Sequence, residues 1–312
     1  MTNRLSTYRE ALLKRTITVY SCAKVNYTLD ILSLRSDGYH NIASVMQTIS
    51  LFDTIKLTES EGDKITLECD RSEIPNDQRN LAWRAASEIL RTAGVSRGLH
   101  IKLIKRIPSE AGLGGGSSNA AFTLMGVNRL FGLGFPSEEL HKIAASLGSD
   151  VPFFITGGTA SVRGRGEKIT PLSDTPPLWF VIVKPDTNVS TAQAYRDLDG
   201  MSHRVSARKT REMEKAIQSG DVQKVVLNMS NDFEQSVIER HLPIALLQDD
   251  LLMSRARVAR LCGSGSAVFG VAFSRNEAEE CLRFIRLKYP ASFLCHSLTR
   301  EEALGNHSKE EE

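Results

Sequence analysis

Pro108-Ser-Glu-Ala-Gly-Leu-Gly-Gly-Gly-Ser-Ser-Asn-Ala120 is the stretch on which the reading of this 312-residue chain turns. An alternating segment, His100 to Ile107, precedes it and reads as a strand. A helix is expected over Asn119 to Phe131, with Phe122, Met125, Leu130 and Phe131 on its inward face. Glycines between such elements reach positive φ and turn successive N–H groups onto one point. The helix start adds unpaired N–H groups and the positive end of its dipole. Ser117 and Ser118 offer hydroxyls to a phosphate oxygen or a Mg²⁺-bound water. A Walker loop is excluded because no Gly-Lys-Ser/Thr follows. A dinucleotide site is disfavoured, since the spacing is G-x-G-x-x-S and no acid between Ala111 and Ser137 is available for a ribose. The stretch reads as a phosphate-binding loop.

Working outward, strands are expected at Thr16–Ala23, Thr28–Leu34, Val45–Leu57 and Lys64–Glu68, with a turn at Asp37-Gly38. Helices are expected over Asn80–Thr92 and from a Ser137 cap to a stop at Gly148, and a hairpin around Arg163-Gly-Arg-Gly166. Ser173-Asp-Thr-Pro-Pro177 reads as a linker between domains at 1–172 and 173–312. Beyond it lie a strand over 178–183, helices over Thr210–Gln218, Asp221–Met229 and Ile244–Met253, and a glycine turn at 263–265. A strand (Val268–Phe273), a helix (Asn276–Tyr289) and a strand (Ser292–Ser297) close the pattern, which is that of an α+β fold with helices on one face of the second layer.

The formal net charge of +2 and the lack of aromatics in the basic run His203–Arg211 argue against a nucleic-acid partner. The longest apolar run, Leu178–Val183, is too short to span a membrane. Arg4, Arg9, Lys14 and Arg15 break any secretory signal; residues 1–15 read as a plain extension rather than an organellar transit peptide, and Lys309–Glu312 as a disordered tail. Five cysteines without a C-x-x-C pair point to a reducing compartment, so the cytoplasm is expected. Cys22 and Cys262 adjoin the motifs and read as small buried hydrophobes rather than reactive thiols.

Pro108-x-x-Ala-Gly-Leu-Gly-Gly-Gly-Ser-Ser-Asn-Ala-Ala121 resembles the phosphate motif of the GHMP kinases, the family of galactokinase, homoserine kinase and mevalonate kinase. Ala23-Lys-Val-Asn26 resembles the first motif of that family, and Leu261-Cys-Gly-Ser-Gly-Ser-Ala-Val-Phe269 its third. Arg35–His40, Asn80-Leu81, Gly148-Ser-Asp-Val-Pro-Phe153 and Val189–Tyr195 resemble the branch whose acceptor is 4-diphosphocytidyl-2-C-methyl-D-erythritol, of the non-mevalonate isoprenoid route. Two fillings are unusual: Ser109-Glu110 in the loop, and Arg255-Ala256 where the family often has Gly-Ala.

The resemblance implies a two-domain GHMP kinase fold, an N-terminal half like ribosomal protein S5 domain 2 and a C-terminal ferredoxin-like layer. It implies ATP as donor, with Mg²⁺, and no protein metal site. Pro108, Ala111, Gly112, Leu113, Gly114, Gly115, Gly116, Ser117 and Ser118 would hold the phosphates, with Asn80 and Leu81 at the adenine. Lys24 would stabilise developing charge, and Asp150 would accept the hydroxyl proton, within hydrogen-bond reach of it. Tyr39 would stack on a cytosine, His40 would bond its edge and Tyr195 would close the other face. Asn26 and Thr191 would hold the polyol and diphosphate, and Gly263, Ser264 and Gly265 would approach the phosphates. The Tyr39-His40 pair counts against a homoserine or mevalonate acceptor, and a monomer or weak homodimer is expected.

Overall fold

The computed structural model describes residues 14–200, 206–305 and 309–310. Residues 1–13, 203–205 of the basic run and 311–312 of the acidic tail therefore lie outside the described residues. Lys309–Glu310, expected in a disordered tail, pairs with Ile17 and Thr18 as a two-residue strand.

The expected pair of N-terminal strands is one strand, β1 (Thr16–Leu34), antiparallel to β2 (His40–Ser60). Its continuity hides in the sequence because register shifts at Cys22/Ala23 and Asn26/Thr28 break the alternation. Each bulge reverses which face the following side chains take. Ile17 and Val19 enter the core under the helices, whereas Ala23, Val25 and Tyr27 enter a second core on the opposite face. Lys24 and Asn26 are thereby turned to the helix side.

From β2 the sheet continues through β4 (Gly98–Ile104) to β3 (Ile65–Cys69), which are parallel to each other and joined across α1 (Leu81–Thr92). The other half of β2 pairs with β5 (Thr159–Gly164) of the expected hairpin, completed by β6 (Lys168–Pro171). Helix α2 (Gly115–Phe131) starts four residues earlier than the alternation implied, so the last two loop glycines are helical. Phe122 and Leu130 are buried as expected; Met125 and Phe131 are only partly covered. Gly126 lets α2 sit on the sheet: a Cβ there would meet Leu57 Cδ1 at 2.5 Å. Helices α3 (Ser137–Leu147) and α4 (Val151–Thr156) complete the layer. Ser137 is the first helical residue, not the cap, which is Pro136 without a side-chain bond.

Residues 172–178 carry no helix or strand and lead to a four-stranded antiparallel sheet. Its order is β11 (Ser292–His296), β7 (Trp179–Val183), β10 (Val268–Ala272), β9 (Ala259–Leu261). Before β9 run α5 (Thr191–Asp199), α6 (Arg208–Gln218), α7 (Val222–Leu227), β8 (Ser230–Asn231), α8 (Phe233–Arg240) and α9 (Leu242–Met253); α10 (Arg275–Arg286) and α11 (Arg300–Gly305) come later. Only α9 and α10 occupy the expected helical face. On the other, Phe180, Ile182 and Phe269 pack with Met213, Ile217 and Val225 of α6 and α7 and with Val25 and Tyr27 of β1. Strand β8 joins the first sheet, parallel to β1 at Thr28 and Leu29, and Ser297, just beyond β11, bridges Ile49, which pairs with Ala23 beside Lys24.

Candidate active site

The glycine loop lies at the floor of a cleft of about 1000 Å³ between the two sheets. Gly112 and Gly114 sit at φ 74° and 72°, a conformation costly for any residue with a Cβ. Space enforces the choice as well, since a Cβ on Gly112 would stand 1.8 Å from the Cys262 carbonyl oxygen. The third motif thus rests directly on the loop, and Ala267 N–H donates to Ala111 O (3.3 Å). Pro108 to Ser117 border the cleft. Ser118 does not: its hydroxyl donates to Cys22 O at 2.6 Å, which ties α2 to β1 and removes it from the expected phosphate set. Gly263 borders the cleft with Ser264, while Gly265 packs towards Leu261 and Val189. Glu110 occupies φ 52°, so the unusual filling of the loop is a left-handed residue.

Lys24 is 3% exposed, and its N–H donates to Leu113 O (3.0 Å), aligning strand and loop. Its Nζ donates to Asn26 Oδ1 at 2.7 Å and lies 3.8 Å from Asp150 Oδ2. That is an ion-pair separation, longer than the expected hydrogen bond. Asp150 immediately precedes α4, placed there by Pro152 in the first turn, where the dipole favours its negative charge. Asn26 is fixed in turn by its donation to Ser44 Oγ (2.9 Å).

Beneath the loop runs a buried network of which the motifs contain Asn119 but not Asp53 or Lys105. Asp53 is wholly buried, and its carboxylate accepts from Arg106 N (2.7 Å), Ile107 N (2.8 Å), Asn119 Nδ2 (2.9 Å) and Lys105 Nζ. Lys105 also donates to Asn119 Oδ1 (3.0 Å), and Asn119 to Ser21 Oγ (2.7 Å). The chain entering the loop and the helix leaving it are held by one side chain. Asn231 does the same for the third motif, donating to Leu261 O (2.9 Å) and Gly263 O (2.7 Å). Glu234 accepts from Leu261 N at 2.8 Å, and burial raises its carboxyl above the usual range. A buried polar residue carries no periodic signal of its own; the only sign was an Asp inside the otherwise β-forming run 45–57.

Asn80 caps α1, accepting from Ala82 N (2.9 Å) and donating to Pro75 O (2.8 Å), so its side chain is largely committed at the start of that helix. With Leu81 it still borders the cleft. At the far end, Tyr39 is 57% exposed with the Arg165 guanidinium 5.2 Å from its ring centroid. His40 is buried; its ring stacks on Tyr195 (4.9 Å, 16°), and Tyr195 meets Phe233 edge-on. Tyr195 therefore covers His40 rather than a gap opposite Tyr39. Burial, with the Asp150 carboxylate nearby, pushes its phenol up to about 12. Thr191 Oγ1 and Ser264 Oγ are 2.8 Å apart, joining α5 to the third motif. Cys22 and Cys262 are buried, and burial pushes both thiols up to about 12, which makes them poor nucleophiles at neutral pH.

The cleft thus brings a glycine-loop floor, a buried cation beside a carboxylate, and an aromatic end wall into one space. Residues 80–158 match the N-terminal domain of the GHMP kinases. The chain is 41% identical over 264 residues to a 4-diphosphocytidyl-2-C-methyl-D-erythritol kinase of Geobacter metallireducens, covering 85% of this chain and 92% of the relative. It is 44% identical over 249 residues to the kinase of the same description from Syntrophotalea carbinolica, covering 80% and 87%. A crystal structure of 4-(cytidine 5'-diphospho)-2C-methyl-D-erythritol kinase superimposes with a TM-score of 0.74 at 28% identity, over 90% of this chain and 98% of that one. Homoserine kinase from Cytophaga hutchinsonii shares the fold at 18% identity, with a TM-score of 0.74 over 92% and 96% of the chains.

Proposed function

Because the chain belongs to the 4-diphosphocytidyl-2-C-methyl-D-erythritol kinases of the GHMP family, we propose that it transfers the γ-phosphoryl of ATP to the C2 hydroxyl of that acceptor, with Lys24 and Asp150 at the reacting atoms. The observation that carries the assignment of roles is the Lys24–Asp150 pair, 3.8 Å apart beside the glycine loop. The ammonium is buried and held in place by Asn26, so it meets charge developing on the transferring oxygens without reorganising. Asp150 is partly open to the cleft and takes the hydroxyl proton. The C2 hydroxyl is tertiary and crowded. Positioning therefore outweighs base strength, and a rigid floor under the phosphates suits that need.

Asn26 and Thr191 lie where the polyol and diphosphate would run, and Tyr39, His40 and Tyr195 where the cytosine would end. A Mg²⁺ would be carried mainly by the nucleotide. Ser117 and Glu110 are the side chains that would complete its shell, and the ion would neutralise phosphate charge. In the chain as a whole, residues 1–172 would form the unit that carries the loop and 173–312 the unit that roofs it.

The test is turnover with ATP and Mg²⁺ on a panel of the cytidyl acceptor, homoserine and mevalonate. Turnover is expected with the first alone, and Lys24→Met and Asp150→Asn each lower kcat by about 10²–10⁴-fold. Phosphorylation of mevalonate or homoserine instead overturns the acceptor; near-normal rates in both variants overturn the roles.

A further inference from the structure

Helix α5 sets Thr191, Tyr195 and Asp199 four residues apart on one face, and all three border the cleft. Asp199 appears in none of the motifs above, yet it is the partner of the residue at the base end. Its Oδ1 lies 2.8 Å from His40 Nε2. A carboxylate only accepts, so Nε2 carries the hydrogen. Tyr195 covers one face of the His40 ring, and Nδ1 makes no hydrogen bond among the described residues. In the neutral ring, Nδ1 is then a bare lone pair. Asp199 is also the last residue of α5, the end where the helix dipole disfavours a carboxylate. Helix stability alone would not place an acid there.

We propose that Asp199 is a positioning residue that fixes His40 as a hydrogen-bond acceptor and thereby selects cytosine over uracil. Cytosine presents an exocyclic amine, a donor, where uracil presents a carbonyl oxygen. An acceptor at His40 pairs with the first and opposes the second. The inference rests on the reading of Tyr39 and His40 as the base site.

The experiment compares kcat/KM for the cytidyl acceptor and its uridine counterpart in wild type, Asp199→Asn and Asp199→Glu, with KM for ATP and the melting temperature alongside. Wild type is expected to prefer the cytidyl compound by at least about 100-fold. Asparagine can donate to Nε2 and move the ring hydrogen to Nδ1, so Asp199→Asn is expected to lose about tenfold of that preference, one hydrogen bond's worth. Asp199→Glu keeps most of it, KM for ATP is unchanged, and the melting temperature does not fall. An undiminished preference in Asp199→Asn overturns the proposal. So does an equal loss on both acceptors with KM for ATP raised, the mark of a packing role. A wild type that phosphorylates neither compound overturns the functional reading itself, and this inference with it.

Discussion

Asp53→Asn tests whether the buried network holds the loop. Four donors converge on the Asp53 carboxylate, two on each oxygen. Asparagine keeps one acceptor and aims an NH₂ at groups that are themselves donors, and it leaves the Lys105 ammonium buried without its counter-charge. Breaking a buried pair in this way costs about 3–5 kcal/mol. Unfolding entropy of about 2.1 cal/mol/K per residue gives about 0.65 kcal/mol per degree for a chain of this length. The melting temperature should therefore fall by about 5–8 °C in scanning calorimetry. Lys105→Met is milder, about 1–3 kcal/mol, because Asp53 keeps its three N–H donors. The double variant should recover part of the loss, and KM for ATP should rise in Asp53→Asn as the loop loosens. A melting temperature within about 1 °C of wild type, or Lys105→Met proving the worse of the two, would refute the reasoning.

Three further outcomes follow from other parts of the molecule. Gly112→Ala forces a Cβ into the Cys262 carbonyl at positive φ, and should cut kcat/KM by at least about 100-fold through misplacement of the phosphates; initial rates check it. Arg255 occupies φ 70°, so Arg255→Gly should relieve backbone strain and gain up to about 1 kcal/mol in urea unfolding. The raised carboxyl of Glu234 means that the folded chain holds that proton more tightly than the unfolded one. Its contribution is full below the ordinary value of 4.5 and is lost as pH rises through the folded value. Glu234→Gln should therefore gain on wild type between pH 4.5 and neutrality, and a constant stability difference over that window would count against it.

Much of the fold was legible because most elements carry a local signal. The alternation before Pro108 and the spacing in α1 each report their own element. β1 was misread as two strands because its bulges break the very alternation by which a strand is recognised. Helix α2 was begun late because Gly115 and Gly116 have poor helix propensity, and tertiary packing overrides it. Within the site, Lys24, Asp150, Tyr39 and His40 came from motifs, and the structure puts all four on one cleft. Ser118 stands in the phosphate motif, but its hydroxyl donates to Cys22 O and faces away from the cleft. Asp53, Asn231 and Asp199 hold the site through partners at least 30 positions away in the chain, a relation that no local pattern encodes.

The close approach of Gly112 to Cys262 also bears on how the protein is made. Translation delivers the loop long before the strand that roofs it. Until β9 and β10 are made, no Cys262 carbonyl stands against Gly112, although Lys24, Asn26, Tyr39 and His40 are already in the chain. The third motif meets the loop only as β9 and β10 emerge, and Ser297, beyond β11, then bridges Ile49 beside Lys24. Loop and roof, far apart in the chain, thus meet only once the third motif has been made.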